Sequence, residues 1–127
     1  MLRDVHLVML RGPLDVRERS LTLGFGTPFY LVDAPPCLWP RRVVADLRAA
    51  LGDEDIVICD VGAHKVWLSR LYPAHAPNTV IVANGFAPMG IALPGAIAAK
   101  LVRPERTVVA FAGDGSCLMN VLELETA

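Results

Sequence analysis

The residue types best placed to do chemistry lie where the apolar run Thr107 to Ala112 meets Gly113-Asp114-Gly115-Ser116 and then the helical pattern Leu118, Val121, Leu122. That order reads as strand, tight turn and helix. Glycines on both sides of Asp114 permit positive φ and a close approach of the backbone to a ligand, and Ser116 is of a type that caps a new helix. A helix N-terminus offers unpaired N–H groups and about half a unit of positive charge, which suits phosphate oxygens. A carboxylate aimed at the same anion repels it unless a cation sits between them. Asp114 therefore reads as a ligand of Mg²⁺ or Ca²⁺ bridging to a di- or triphosphate. The tripeptide alone is also an ordinary turn, and by itself it favours that plainer reading.

The elements that position this turn are α/β in pattern. Pro40 suits the first turn of a helix, Val43, Val44, Leu47, Ala50 and Leu51 share one face, and Gly52 suits its C-terminal cap. Ile56 to Cys59 is predicted as a short buried strand ending at Asp60-Val61-Gly62-Ala63-His64, followed by a helix over Val66 to Tyr72. Thr79 to Ala83 is predicted as a second buried strand. The loop Asn84 to Pro88 and a small-residue helix from Met89 to Val102 follow, with Pro94 as a kink and Pro104 as the stop. Thr107 to Ala112 is the third strand. Helical crossovers between short apolar strands predict a partial parallel sheet with right-handed connections. In such sheets ligands bind beyond the carboxyl ends of the strands, so three loops should meet on one rim. The small residues Gly90, Ala92, Gly95, Ala96 and Ala99 would let their helix pack close to the sheet or to a partner chain. Trp67 and Tyr72 are expected under the first crossover and His75 in a solvated loop.

The upstream residues carry no motif. Val5 to Leu10 and Leu21 to Val32 could each be a strand, and Gly24-Phe25-Gly26 reads as a loop because no helical pattern follows it. Pro35, Pro36 and Pro40 mark a linker, which divides the chain into an unassigned segment 1–37 and a domain 38–127. The 127 residues are about one domain, with 54% apolar residues, a mean hydropathy of +0.44 and a net charge of −1. Nothing in that balance calls for a nucleic-acid or membrane partner. No apolar run approaches the ~20 residues of a membrane span. Cys37, Cys59 and Cys117 have no metal or redox spacing, and an odd number argues against a disulfide framework. The expected compartment is the cytosol.

Three of these motifs together carry a resemblance. DVGAHKVWLSRLYPAHAPNTV followed by NGFAPMGIALPGAIAAKLVRPERTVVAFAGDGSCLMNVLELETA resembles the C-terminal, cofactor-binding domain of thiamine diphosphate enzymes, nearest to the acetolactate synthase group, over about residues 38 to 127. The resemblance implies the cofactors thiamine diphosphate and Mg²⁺. Asp114 matches the family's Mg²⁺-binding aspartate, with Gly113, Gly115 and Ser116 forming the diphosphate turn. Val61, Gly62, Ala63 and His64 match the loop that touches the diphosphate from the first strand, and His64 would donate to a phosphate oxygen. Many relatives have Gln where Ala63 stands. Without the resemblance, His64 reads as a surface histidine and Met89 as core filler. With it, the Ala87 carbonyl would accept from the aminopyrimidine amine, and Met89 would wedge between the cofactor's two rings. Ala87 stands where many relatives have Gly, and a backbone acceptor survives the change.

The implied activity is decarboxylation of a 2-oxo acid and carboligation of the remaining fragment to a second one, with the cofactor supplying the electron sink. No catalytic residue is expected in this chain, since the family's activating glutamate belongs to a separate domain supplied across a subunit interface. An Asn and a backbone carbonyl that complete the family's metal site come from a loop beyond the position of Ala127. The expectation is a truncated cofactor-binding domain, inactive alone, that works as a homo-oligomer or a complementing subunit. The sheet is expected to stop at three strands with an open edge. The other readings are a non-catalytic interaction module, or a different thiamine diphosphate-dependent decarboxylase or oxidase.

Overall fold

The runs IVIC and VVAFAG have no polar face, and each is buried on both sides at the centre of one sheet. The computed structural model describes residues 5–11, 19–22, 28–33 and 40–127. Its elements in chain order are β1 (Val5–Arg11), β2 (Arg19–Thr22), β3 (Pro28–Asp33), α1 (Pro40–Ala50), β4 (Ile56–Cys59), α2 (Ala63–Leu71), β5 (Val80–Val82), α3 (Ala92–Val102), β6 (Val108–Gly113) and α4 (Asp114–Met119). A 3-10 turn, Val121–Glu125, follows α4. The strands order as β2-β3-β1-β6-β4-β5. All neighbours run parallel except the antiparallel pair β2 and β3.

Alternation along β4 and β6 sorts their side chains into two cores. Ile56, Ile58, Val108, Ala110 and Ala112 pack with Ala92 and Ala96 of α3, while Val57, Cys59, Val109 and Phe111 pack with Val44 of α1, Leu68 of α2 and Tyr72 just after α2. Helices therefore cover both faces, as right-handed crossovers require when β4 to β5 (through α2) and β5 to β6 (through α3) run in opposite directions along the sheet. The close approach of α3 follows from its small residues. A Cβ at Gly95 would lie 3.3 Å from Ile58 Cγ2, so the helix backbone rests almost on the sheet.

The α/β class and the three parallel strands β4, β5 and β6 agree with the sequence expectation, and several details differ. The sheet does not stop at three strands, because β1 lies along the free edge of β6 from Val5↔Val108 to Leu10↔Gly113. An unpaired edge is a row of unsatisfied N–H and C=O groups, which the backbone of a further strand such as VHLVMLR satisfies. The predicted strand Leu21 to Val32 is instead the antiparallel pair β2 and β3. Gly24-Phe25-Gly26, Pro35, Pro36, Cys37 and the boundary at 37/38 lie outside the described residues. β5 is an edge strand rather than a buried one, with Ile81 exposed. Pro94 kinks nothing, since α3 begins at Ala92 and a proline in the first turn gives up no helical hydrogen bond. Tyr72 is buried but Trp67 is not, and Leu118 and Leu122 face outward rather than into the core.

A bulky residue at Gly95 should force α3 off the sheet. Gly95→Leu is expected to destabilise the chain by about 1–3 kcal/mol in urea denaturation, despite leucine's better helix propensity.

Candidate functional site

Three bends follow the carboxyl ends of β4, β5 and β6, and a single buried carboxylate joins two of them. Asp60, 1% exposed, ends β4. Its Oδ1 accepts from the amides of Val61 (2.7 Å) and Gly90 (2.9 Å), and its Oδ2 accepts from Ala92 N (2.8 Å). Ala92 is the first residue of α3, whose own N-cap residue, Ile91, makes no side-chain cap bond. Asp60 thus caps α3 from another bend, and its charge suits the positive end of that helix. Three further bonds complete the frame. Ser116 Oγ donates to Val61 O (2.9 Å), Asn120 Nδ2 to Gly90 O (2.7 Å) and Lys65 Nζ to Ala83 O (2.7 Å).

His64 is the second residue of α2 and is 6% exposed. Its ring meets Phe111 edge-on at 5.6 Å between centroids. A Cβ at Gly62 would fall 2.8 Å from His64 Cε1 and Nδ1, and one at Gly113 would fall 3.2 Å from Cε1, so the two glycines leave the space that the imidazole fills. Nε2 is buried without a hydrogen-bond partner among the described residues. Burial holds His64 below its ordinary value, opposed by the Asp60 charge and a backbone hydrogen bond at Asp60. The plainer expectation of a surface histidine does not hold.

On the third bend, Asp114 is exposed and its Oδ1 accepts from Gly115 N (2.8 Å). Ser116 does not cap α4, because its hydroxyl is spent on Val61 O. Neither Gly113, with φ −82, nor Gly115 has a positive φ; Gly113 serves by lacking a side chain, while a Cβ at Gly115 would meet only an ordinary contact. Met89, 43% exposed, places its Cε 3.7 Å from where a Gly115 Cβ would stand. It therefore spans the second and third bends. Ala87, with φ 46, sits in the left-handed region that costs a non-glycine residue about 1–2 kcal/mol. All ten residues singled out from the sequence, Val61, Gly62, Ala63, His64, Ala87, Met89, Gly113, Asp114, Gly115 and Ser116, thus lie on the three bends of this rim.

Sequence reasoning passes over Asp60, Lys65 and Asn120. Asp60 had a signal, since an acid directly after an all-apolar strand must be supplied with donors. Asn120 had none.

A family profile described as "Thiamine pyrophosphate enzyme, C-terminal TPP binding domain" matches residues 60–127, more than half of the chain. The chain belongs to that family. The match begins at Asp60 and takes in all three bends. Among similar proteins, an acetolactate synthase of Bacillus subtilis (strain 168) is 44% identical over 88 residues, covering 69% of this chain and 15% of its own length. The acetolactate synthase isozyme 1 large subunit of Escherichia coli (strain K12) is 42% identical over 100 residues, 72% of this chain and 18% of its own length. A putative thiamine pyrophosphate-containing protein of Bacillus subtilis (strain 168), YdaP, is 42% identical over 95 residues, 75% and 17% respectively. The chain therefore spans less than a fifth of the length of these relatives. The domain type implies thiamine diphosphate as its cofactor.

Two outcomes are expected of this frame. Asp60→Ala strands three amides and should cost about 3 kcal/mol or more, while Asp60→Asn, which turns an NH₂ toward one amide, should cost about 1–3 kcal/mol in urea denaturation. His64 is held low in the folded chain, so its contribution to stability is complete above the ordinary value of 6.5 and is lost as pH falls below it. The difference in unfolding free energy between wild type and His64→Asn, measured from about pH 8 to pH 5, should shrink toward acid.

Proposed function

We propose that this chain forms the thiamine diphosphate- and Mg²⁺-binding part of an acetolactate synthase-like enzyme, one that decarboxylates a 2-oxo acid and joins the fragment to a second. The observation that carries the reading is the buried, unpartnered Nε2 of His64 on the same rim as the exposed carboxylate of Asp114. The other ring nitrogen already bonds to the Asp60 backbone, so Nε2 suits a phosphate oxygen as the second donor of the protonated ring. The carboxylate suits a cation that bridges to it. Relatives named acetolactate synthase support the substrate class.

The residues divide by bend. Val61, Gly62, Ala63 and His64 hold the diphosphate from the first bend, aided by the N-terminal end of α2. Gly113, Gly115 and Ser116 hold it from the third, with Asp114 binding Mg²⁺. The Ala87 carbonyl accepts from the aminopyrimidine amine and Met89 supports the rings. α4 has only six residues and adds little dipole, so His64 and the turn amides carry most of the anion's contacts. Among the described residues no group of three or more His, Cys, Asp or Glu could hold a metal ion. Mg²⁺ would take most of its six oxygens from phosphate, water and groups outside the described residues, as it does in many phosphate sites. When bound, the cofactor supplies the electron sink for decarboxylation. This chain's residues bind and orient it, and none is assigned a proton-transfer role.

Leu118, Met119, Leu122 and Phe86 are exposed large apolar residues on the elements that follow the rim's bends, of the kind that another polypeptide covers. That supports a homo-oligomer or a complementing subunit. Cys59 and Cys117 are free, which suits the cytosol. Among the described residues no helix is long and apolar enough to cross a membrane.

Calorimetric titration of the chain with thiamine diphosphate, with and without Mg²⁺, tests the reading. Saturable, Mg²⁺-dependent binding is expected, weakened at least about tenfold by Asp114→Asn. Absence of binding at about 1 mM ligand, where the free energy would be weaker than about −4 kcal/mol, favours the non-catalytic interaction module instead.

A further inference from the structure

Gly90 is held from both sides by side chains of other bends. Its N–H donates to Asp60 Oδ1 at 2.9 Å and its C=O accepts from Asn120 Nδ2 at 2.7 Å. Its φ is +92, and a Cβ there would fall 2.7 Å from Asn120 Nδ2 and 3.2 Å from Met119 Cβ. Glycine is thus required both for the left-handed backbone and for the space that the Asn120 amide occupies.

The effect on Met89 follows from counting torsions. The Gly90 N–H belongs to the Met89–Gly90 peptide plane and the Gly90 C=O to the next, so both planes after Met89 are oriented. Before it, Pro88 has its φ fixed by its ring and Ala87 sits at φ 46. A methionine side chain has three soft bonds and no preferred shape of its own. Here its base is anchored while its tip remains partly exposed against the Gly115 turn.

We propose that Asp60 and Asn120 clamp the Gly90 peptide to set the position of Met89, and that Asn120 is a positioning residue for the organic rings of the cofactor rather than for its diphosphate. The inference rests on the thiamine diphosphate reading above. The Asn120 side chain donates to the second bend. The groups assigned to the diphosphate lie on the first and third, where Ser116 is tied to Val61 by its own bond.

The test compares two ligands, thiamine diphosphate and inorganic pyrophosphate, each with Mg²⁺, by calorimetry on the full chain. Asn120→Asp keeps the side-chain shape but removes the donor, and Asn120→Ala removes the group. Where the alanine variant fails to melt cooperatively, the aspartate variant carries the comparison. Both should weaken thiamine diphosphate about tenfold and leave pyrophosphate within about twofold. In a Met89→Ala background the Asn120 effect should vanish, because the clamp would have nothing left to position. Equal loss for both ligands, no loss for either, or additivity with Met89→Ala overturns the clamp while leaving the cofactor reading intact. Failure of the wild-type chain to bind thiamine diphosphate overturns the cofactor reading and this inference with it.

Discussion

A carboxylate withdrawn from water must be given donors, and Asp60 obtains three from the backbone. Burying a charge costs several kcal/mol unless it is met by hydrogen bonds, so the chain can bury this one only if the first and second bends are in register. The requirement runs in both directions. Asp60 is satisfied when Gly90 and Ala92 reach it, and α3 starts at Ala92 because the carboxylate caps it there. One side chain thus fixes the end of a central strand, the start of a crossover helix and the loop between them.

Around that point the bends are shaped by what is left out as much as by what is bonded. Gly62 and Gly113 leave room for the His64 ring, Gly90 for the Asn120 amide, and Gly115 for the tip of Met89. Gly62 faces a side chain of its own bend, while Gly113, Gly90 and Gly115 each face a side chain from another part of the rim. The rim is therefore assembled pairwise across the sheet order β6-β4-β5 rather than along any one loop. At Gly62, Gly90 and Gly113 an added Cβ would fall 2.7 to 3.3 Å from these groups, which leaves them little freedom to shift, whereas at Gly115 it would make an ordinary 3.7 Å contact.

The central fold was legible because strands buried on both faces write continuous apolar runs, and β4 and β6 do so. The rim's residues were legible because turns that hold anions need glycine next to polar groups. What stayed hidden depended on long-range pairing. The N-terminal strands carry short mixed apolar patterns that become meaningful only when β1 finds the edge of β6. Asn120 looks like any polar residue following a helix until a peptide 30 residues earlier is brought under it. Ser116 was misread as a helix cap because local capping is the commonest use of a serine there, and a carbonyl on another bend won instead. The outward-facing Leu118 and Leu122 carry a helical apolar pattern that this chain's own core does not use.

Two cysteines adjoin this rim, each next to a residue that builds it. Burial pushes the Cys59 thiol up to about 12, and it also raises Cys117, with the Asp60 charge adding to both. Thiolates are the form that oxidants and alkylating reagents attack, so neither sulfur is reactive while the bends stay closed. Chemical damage near the rim is thereby made to wait on local unfolding. Burial first, and the acid that organises the loops second, favour keeping the proton on both sulfurs.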